Sequence, residues 1–376
     1  MRNPRLLVIF GTRPEAVKMA PVLAALRAQP RIDTRLLVSG QHRELLDQML
    51  GAFEIVPDED LRVSGDERSL EGRLATMLVT IGAAIARERP DRVLVHGDTL
   101  TTLAATLAAH LRGVPIAHVE AGLRSGDLSA PWPEEGSRRV AGVLADLHFA
   151  PTPAAAAALR AENVAAEAIH MTGNTVADAL RLMQARITAR PALAQEAERI
   201  LARFAGRRIV TVTAHRRENH GAALAAIGDA LLRLAARDDI GIVVPLHPNP
   251  VVADALSDKL GTHCNVALVP ALAYPSFVRL MAASTLILTD SGGVQEEAPA
   301  LGVPVLVLRD RTERPEGIAA GGARLIGTDA ARIVTEASAL LDDGDAHAAM
   351  AVPRLCYGDG HAATRIAAIL ATAMAV

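Results

Sequence analysis

The sequence has 376 residues, of which 50% are hydrophobic and 22% are charged, and its formal net charge is -3. This length is too great for one ordinary core, so the composition predicts a soluble protein with two domains. Only 2% of the residues are aromatic. Together with the slightly acidic balance, this argues against nucleic-acid binding, which favours basic faces and stacking platforms.

The same features predict a cytoplasmic location. No apolar run reaches the roughly 18 residues that a membrane-spanning helix needs, and the N-terminus lacks the long apolar region of a signal peptide. The two cysteines, Cys264 and Cys356, give no disulfide framework and suit a reducing compartment. His263 and Cys264 are an isolated pair and do not resemble a zinc ligand set, so we expect no metal site.

The first predicted strand is Arg5–Phe10, and Pro14 then suits the first position of a helix. Arg13 therefore projects from the carboxyl end of the strand, and Lys18 follows about one helical turn later. A positive charge is unfavourable at a helix N-terminus, so we expect Arg13 to meet an anion. The alternative is that Arg13 pairs with Glu15 and that Lys18 is solvated.

A second strand is predicted at residues 34–38, followed by a polar connection over 53–68 and a helix over 70–89. Acidic residues end the next two predicted strands, at Asp98 and at Glu120. Because the carboxyl ends of parallel strands meet at one edge of a sheet, we expect both carboxylates to face one crevice.

A second pair of acidic residues, Glu134 and Glu135, opens a later helix. Favourable interaction with the helix dipole is one explanation for this pair. A place among the carboxylates of the crevice is the other.

The strand and helix pattern restarts at about Val176, after a Gly-Asn-Thr segment at residues 173–175 that we interpret as the domain hinge. Strands in this half end at His215, which is flanked by Arg216, and at His247. After residue 329 only helices are predicted. The repeated alternation predicts an α/β fold of two Rossmann-like domains facing each other across a cleft. Their predicted ranges are 1–172, joined by the C-terminal helix 360–376, and 173–359.

The stretch over residues 285–317 reads as strand, small-residue loop, helix and strand. Its loop contains Ser291, Gly292 and Gly293, whose backbone N–H groups can approach an anion at the start of a helix. The alternative is that this loop is only a tight turn.

Charged residues lie before and after the second strand in this stretch. Glu296 or Glu297 could accept hydrogen bonds from a ribose diol. Three arginines beyond the strand could meet a pyrophosphate, at positions 309, 311 and 314. The combination favours a nucleotide diphosphate site over a solvated loop.

Two phosphate-binding motifs are missing from the sequence. There is no GxGxxG after the first strand and no GxxxxGK[ST], which disfavours a tightly bound NAD and a P-loop ATPase. A nucleotide sugar fits better, because its diphosphate needs dipoles and cations while its sugar needs acid–base groups.

An ordered set of motifs resembles the non-hydrolysing UDP-N-acetylglucosamine 2-epimerase family. The set spans residues 10 to about 317 and comprises FGTRPEAVKMAP, GQHRELL, HGDT, HVEAGLRSGD, PWPEE, TGNTVAD, TAHRREN, PLHPNP and TDSGGVQEEAPALGVPVLVLRDRTERPE. The resemblance implies a glycosyltransferase-B-like fold and a homodimer. It also implies reversible conversion of UDP-N-acetylglucosamine to UDP-N-acetylmannosamine without NAD or metal, for cell-surface polysaccharide synthesis.

The resemblance also assigns roles to individual residues. Catalytic roles are implied for Asp98, Glu120, Glu134, His215 and Arg13. Binding of the UDP-sugar is implied for Arg13, Lys18, His215, Phe277, Ser291, Gly292, Gly293, Glu297 and Arg314. A second UDP-N-acetylglucosamine, bound as an allosteric activator, is implied to contact Gln41, Arg68, Glu135, Arg216 and His247.

The chemistry explains why several carboxylates are needed. The proton on C2 of the sugar becomes acidic only when the C1–O bond to UDP breaks, so elimination to a 2-acetamidoglucal precedes re-addition of UDP. Inversion at C2 requires proton transfer on two faces, and hence two proton-transfer positions. The sequence does not assign a face to each carboxylate.

Three alternatives remain open at this point. The substrate could be a modified UDP-sugar, such as a diacetamido-uronic acid nucleotide. The chain could instead be a hydrolysing epimerase or a glycosyltransferase of the same fold. It could also be a UDP-sugar sensor without activity, although the intact carboxylate set argues against this.

Overall fold

The computed structural model describes residues 2–40, 43–63, 69–247, 249–261 and 263–375. The chain divides into two units: unit 1 is Met1–Leu182 with Gly358–Val376, and unit 2 is Met183–Tyr357. The sequence places these boundaries at residues 172 and 359, whereas the first boundary in the structure lies inside a helix, Thr175–Ala189.

Unit 1 is built on a parallel sheet that, in the described residues, has seven strands. These are β1 Arg5–Phe10, β2 Asp33–Val38, β3 Glu59–Asp60, β4 Arg92–His96, β5 Ile116–Val119, β6 Leu147–Ala150 and β7 Ile169–Met171. The helices that follow or cover them are α1 Arg13–Arg27, α2 Arg43–Phe53, α3 Leu70–Glu88, α4 Leu100–His110, α5 Glu134–Leu144, α6 Pro153–Ala161 and α7 Thr175–Ala189. The C-terminal helix α16, Ala362–Ala373, packs on α1.

Unit 2 is built on a second parallel sheet, with six strands among the residues that the structure describes. They are β8 Arg208–Thr213, β9 Ile240–Pro245, β10 Val266–Val269, β11 Ser284–Thr289, β12 Val305–Val307 and β13 Ala323–Leu325. Its helices are α8 Gln195–Arg203, α9 Ala222–Ala235, α10 Pro250–Leu260, α11 Tyr274–Ala283, α12 Gly292–Ala300, α13 Pro315–Ala319, α14 Ala330–Asp342 and α15 Gly344–Met350.

The two sheets have the same topology. The strand order is β3-β2-β1-β4-β5-β6-β7 in unit 1 and β10-β9-β8-β11-β12-β13 in unit 2. In each sheet the order reverses once, between β1 and β4 and between β8 and β11. Ligands of such sheets bind beyond the carboxyl ends of the strands at this switch point. The topology confirms the predicted α/β class with two Rossmann-like domains.

The central strands form because their apolar side chains are buried on both faces. In β1, the five residues after Arg5 are at most 1% exposed, and burial of each large side chain contributes roughly 1.5–3 kcal/mol. The predicted helix over 70–89 is confirmed as α3, and the helices predicted after residue 329 are confirmed as α14 to α16. Strands β3 and β13 were not predicted, because two or three residues carry no readable period.

No helix in the described ranges has both the length and the apolarity to cross a membrane.

Candidate functional site

The switch point of unit 1 is organised by a buried glutamate, Glu15, in the first turn of α1. One carboxylate oxygen accepts hydrogen bonds from the backbone N–H groups of Gly11 and Thr12, at 3.0 and 2.8 Å. The other accepts from the hydroxyl of Thr99 at 2.9 Å and lies 3.3 Å from that of Thr102. Glu15 thus links the loop after β1 to the loop after β4. The sequence suggests Glu15 as an alternative partner for Arg13 but gives no sign of this link.

Burial raises the pKa of Glu15 to about 7, and the N–H and hydroxyl donors offset part of that effect. Because this folded-state pKa exceeds the ordinary value of 4.5, the folded protein binds the proton more tightly than the unfolded chain does. The resulting stabilisation is complete below about pH 4.5 and is lost as the pH rises through 7.

We therefore expect Glu15→Gln to gain unfolding free energy relative to the unmodified protein as the pH rises from 5 to 8, by up to roughly 3 kcal/mol. Glutamine keeps an acceptor for the two N–H groups and has no proton to lose. Denaturant titrations at several pH values measure the difference. Glu162→Gln is the control, because Arg124 keeps the pKa of Glu162 below its usual value. A difference in unfolding free energy between Glu15→Gln and the unmodified protein that does not change with pH would contradict the raised pKa of Glu15.

Glu120, at the end of β5, is held by two side chains from other elements. Its Oε2 atom forms an ion pair with Lys18 and accepts a hydrogen bond from Nδ2 of Asn174 at 3.3 Å. The His96 Nε2 atom lies 3.8 Å from the same oxygen. Glu120 has a φ of 61°, and a non-glycine residue in this left-handed region costs of order 1–3 kcal/mol. The fold thus brings Lys18 and Glu120 together, and the contacts with Lys18 and Asn174 orient the carboxylate.

Asp98 follows β4 and is paired with an arginine of α5. The Nε and Nη2 atoms of Arg138 lie 2.8 and 2.7 Å from Oδ2 of Asp98. The same guanidinium reaches Oε2 of Glu135 at 3.3 Å. Arg138 therefore compensates charge on both carboxylates, a role that the sequence analysis did not assign.

The two glutamates at the start of α5 differ in their surroundings. Glu135 is fully buried and accepts a hydrogen bond from the backbone N–H of Ser125 at 3.0 Å. Burial alone would raise the pKa of Glu135, but this N–H group and Arg138 hold it below its usual value. Glu134 is partly exposed and has no hydrogen bond or ion pair with another described residue. Glu134 is therefore open to a ligand, whereas Glu135 would first have to exchange its protein partners.

The switch point of unit 2 is organised by Asp290, which directly follows β11. Its buried Oδ2 atom accepts hydrogen bonds from the backbone N–H groups of His215 and Arg216 and from Nδ2 of Asn219, at 2.8, 2.9 and 2.9 Å. Its Oδ1 atom lies 3.2 Å from Nδ1 of His215. Burial would raise the pKa of Asp290, but these donors and the imidazole lower it. The carboxylate orients His215 with its Nε2 atom directed away from Asp290.

His247, at the end of β9, stacks on His215. The ring centroids are 5.2 Å apart and the planes differ by 8°. The Nδ1 atom of His247 accepts a hydrogen bond from the backbone N–H of Asn249 at 3.1 Å. Burial, followed by the nearby His215, lowers the pKa of His247. His247 is therefore a neutral ring that supports His215.

Beyond β11, the start of α12 combines a helix N-terminus, at which Gly292 is buried and Gly293 is exposed, with cationic side chains. Ser291 is the N-cap, but its own N–H donates to the hydroxyl of Thr289 at 2.9 Å. The first N–H groups of the helix, at Gly292 and Gly293, have no acceptor within the helix. Gly292 lies beside the guanidinium groups of Arg216 and Arg314, which would be 3.4 and 3.9 Å from an added Cβ, with Oε1 of Glu313 at 3.7 Å. Dipole and cations together suit a phosphate group.

The acidic and aromatic residues around α12 are also held in place. Glu296 forms an ion pair with Nε of Arg314, and Oε1 of Glu297 accepts a hydrogen bond from the hydroxyl of Tyr274 at 2.9 Å. Phe277 on α11 is partly buried and packs against a hydrophobic cluster that includes Leu272. Tyr274 is a further residue that the sequence analysis did not single out.

The arginines after β12 have different surroundings. Arg309 forms ion pairs with two glutamates. Its Nε atom lies 2.5 Å from Oε1 of Glu218, and its Nη1 atom lies 2.8 Å from Oε2 of Glu313. Burial would raise the pKa of Glu313, but Arg309 and its other neighbours lower it to about 2. Arg216 adds a second ion pair to Glu313 at 3.3 Å. Arg309 is thus committed to an internal network, and its predicted contact with a pyrophosphate would require it to leave two carboxylates.

Two residues of the predicted activator set, Gln41 and Arg68, lie outside the described residues. Within the described ranges, no three His, Cys, Asp or Glu side chains form a group that could hold a metal ion.

Comparison with known proteins identifies the family. The family model described as UDP-N-acetylglucosamine 2-epimerase matches residues 24–371. The chain is 48% identical over 364 residues to a protein of Ralstonia solanacearum named probable UDP-N-acetylglucosamine 2-epimerase, covering 96% of this chain and 97% of the relative. It is 47% identical to the UDP-N-acetylglucosamine 2-epimerase of Salmonella typhimurium, with the same coverage.

Among solved structures, the crystal structure of UDP-GlcNAc 2-epimerase from Neisseria meningitidis bound to UDP-GlcNAc superposes with a TM-score of 0.91 at 41% identity. The match covers 98% of this chain and 100% of that one. These comparisons confirm the resemblance inferred from the motifs. The chain belongs to the UDP-N-acetylglucosamine 2-epimerase family.

Proposed function

We propose that this protein catalyses the reversible C2 epimerisation of UDP-N-acetylglucosamine to UDP-N-acetylmannosamine. The observation that carries the proposal is the placing of carboxylates at the switch point of unit 1, where Lys18 compensates Glu120 and Arg138 compensates Asp98. Proton transfer at a sugar carbon needs such groups, and family membership supports the same reaction. A site that only binds a nucleotide has no need of them.

Unit 2 supplies the groups for the leaving UDP. The start of α12, with Gly292, Gly293 and Arg314, binds the diphosphate, and Glu297, held by Tyr274, accepts hydrogen bonds from the ribose. Phe277 contacts the uracil. As the C1–O bond breaks, its electron pair goes to UDP. Arg13, Arg314 and His215 then offset the negative charge on the diphosphate, a type of electrostatic stabilisation that is often the largest contribution to catalysis.

Unit 1 supplies the groups for proton transfer. One carboxylate of the set Asp98, Glu120 and Glu134 removes the C2 proton while UDP departs, leaving a C1=C2 double bond. A second returns a proton to C2 from the opposite face, and UDP then attacks C1 to restore the bond. The reaction is redox-neutral, so it needs no redox cofactor, and proton exchange with water returns the two carboxylates to their starting protonation states.

A proton NMR experiment tests this function. Purified protein is incubated with UDP-N-acetylglucosamine, and the anomeric signals are followed over time. The proposal predicts a mixture of the two UDP-sugars that is also reached from UDP-N-acetylmannosamine. Stoichiometric free N-acetylmannosamine would instead identify a hydrolysing epimerase. Unchanged substrate, together with turnover of a modified UDP-sugar, would favour the modified substrate. EDTA treatment should leave the rate unchanged.

We further propose that the protein is a homodimer that buries a face of unit 1. Helices α3, α4 and α5 are packed side by side and expose apolar side chains. Val79, Leu111 and Val143 are 73%, 73% and 79% exposed. A second copy of the chain is the partner implied by the family resemblance, and exposed apolar groups on adjacent elements are typical of such an interface.

Replacing Val79 and Val143 together by aspartate should therefore convert the dimer to a monomer, because two charges would be buried unpaired. Light scattering coupled to size-exclusion chromatography measures the mass. Val251→Asp is the control, since Val251 is exposed on α10 of unit 2. A dimer that survives the double substitution, or an unmodified protein that is monomeric, would contradict the proposal.

We also propose a second nucleotide-sugar site that includes Arg216 and His247, with Gln41, Arg68 and Glu135. The stacking of His247 on His215 supports a connection between this site and the groups that bind UDP. Initial rates should then depend sigmoidally on UDP-N-acetylglucosamine, and His247→Ala should make the dependence hyperbolic. Hyperbolic kinetics in the unmodified protein would exclude the activator.

A further inference from the structure

The chain leaves unit 2 and enters unit 1 between two consecutive residues, Tyr357 and Gly358. The other crossing, between Leu182 and Met183, lies inside α7, where regular hydrogen bonds define the backbone. Tyr357 and Gly358 belong to no helix or strand. Individual contacts must therefore fix their positions.

The side chain of Tyr357 is anchored to the start of α13. It is 4% exposed, and its hydroxyl accepts a hydrogen bond from the backbone N–H of Gly317 at 2.9 Å and donates one to the carbonyl oxygen of Arg314 at 3.1 Å. A Cβ on Gly317 would lie 2.9 Å from the hydroxyl oxygen, so this approach requires glycine. Tyr357 thus fixes the backbone that carries Arg314, which binds diphosphate in the proposed function.

Gly358 makes a close contact in unit 1. Its φ is 151°, and a Cβ would lie 2.9 Å from the carbonyl oxygen of Asn174 and 3.1 Å from its nitrogen. The Asn174 side chain is fixed at both ends, because Oδ1 accepts a hydrogen bond from the N–H of Val176 at 3.0 Å and Nδ2 donates to Glu120. Displacement of the Asn174 backbone would therefore move the donor that orients the Glu120 carboxylate.

The chain after Gly358 cannot easily move away from Asn174. Asp178, on the helix α7 that begins directly after Asn174, accepts hydrogen bonds from the backbone N–H groups of Ala362 and Ala363 at 3.2 and 2.9 Å. These bonds tie the start of α16 to α7. A side chain at position 358 would consequently push against Asn174.

We propose that Tyr357 and Gly358 are positioning residues for the epimerisation, Tyr357 acting through Arg314 on the diphosphate and Gly358 acting through Asn174 on Glu120. The inference rests on the proposed function. It adds that two consecutive residues set the geometry of two groups with different roles, one in binding and one in proton transfer. Substitutions at these neighbouring positions should therefore have separate kinetic effects.

The test uses Tyr357→Phe and Gly358→Ala in the full chain. Tyr357→Phe should raise the Kd for UDP and the KM for the UDP-sugar about tenfold, because one or two hydrogen bonds are lost. It should change kcat less than about threefold. Gly358→Ala should lower kcat, and the rate at which solvent deuterium enters C2, by about tenfold or more. Its Kd for UDP should stay within about twofold.

Two further variants separate positioning from strain. Gly113→Ala is the control, because Gly113 in unit 1 also has a positive φ, of 67°, but has open space around it. Gly113→Ala should leave kcat and the Kd for UDP unchanged. Asn174→Ala should reproduce the loss of kcat, and adding Gly358→Ala to it should cause no further loss. If Gly358→Ala does not fold, Asn174→Ala still tests whether Asn174 positions Glu120 for proton transfer.

The inference is overturned if Tyr357→Phe leaves the Kd for UDP unchanged, or if Gly358→Ala weakens UDP binding as much as it lowers kcat. An additive loss in the double variant would also overturn it. Failure of the proposed function is a different result, because then the unmodified protein does not interconvert the two UDP-sugars. In that case the UDP titration of Tyr357→Phe still tests whether Tyr357 positions Arg314 for binding the diphosphate.

Discussion

Replacing Glu120 by glutamine should lower kcat for C2 epimerisation by about 10²–10⁴-fold, the usual contribution of a general acid or base. The amide keeps an acceptor for Lys18 and Asn174 but cannot exchange a proton with C2. The Kd for UDP should not change, because the proposed function gives Glu120 a role in proton transfer and no contact with UDP. Initial rates by NMR and calorimetric titration with UDP measure the two effects.

The matched control is Glu162→Gln, which removes an ion pair with Arg124 at the C-terminal end of α6 in the same unit. It should leave kcat within about twofold of the unmodified value. Comparable rates for Glu120→Gln and Glu162→Gln would remove Glu120 from the proton-transfer step.

Asp290→Asn should lower kcat by about 10²–10⁴-fold as well, through His215. An asparagine that still accepts the N–H groups of His215 and Arg216 turns its own NH₂ group towards Nδ1 of His215. With an amide NH₂ beside Nδ1 and no negative charge at position 290, the positively charged His215 ring that offsets charge on the departing UDP is no longer stabilised. The corresponding change in a serine protease triad costs about 10⁴ in kcat. Rates are measured as for Glu120, with Asp329→Asn, which conserves the N-cap of α14, as control.

The dependence of unfolding free energy on pH is a second measurement on Asp290→Asn. The pKa of Asp290 is lowered in the folded protein, so its contribution is complete above the ordinary pKa near 3.8 and is lost as the pH falls through the folded-state pKa. Asp290→Asn should therefore be less stable than the unmodified protein at pH 7, by about 1.5–3 kcal/mol. The difference should shrink in acid. Equal kcat values for the two proteins would contradict the role given to Asp290.

The strand ends could be predicted because their signal is local. A buried apolar run followed by small or polar residues identified Asp98, Glu120 and His215, and the structure places each of them directly after a strand or one residue beyond. The same rule applies to Asp290, which follows β11 immediately. The pattern does not single out Asp290, because the small residues after it carry the stronger signal for anion binding.

The partners of these residues could not be predicted, because they come from distant parts of the chain. Lys18 and Glu120 are 102 positions apart, and the backbone N–H of His215 bonds to a carboxylate 75 positions away. Arg309 illustrates the same point. Its position suggested a diphosphate ligand, but two glutamates occupy its guanidinium, and only the fold reveals which arginines of a loop are already paired.

The central claim is that a proton leaves C2 and another returns to it while UDP departs and comes back. Turnover of UDP-N-acetylglucosamine in D₂O tests this most directly, with C2 deuterium followed by NMR and mass spectrometry. The account predicts one deuterium at C2 of the UDP-N-acetylmannosamine formed, and the same label in the recovered UDP-N-acetylglucosamine at equilibrium. Formation of UDP-N-acetylmannosamine that keeps protium at C2 would contradict it.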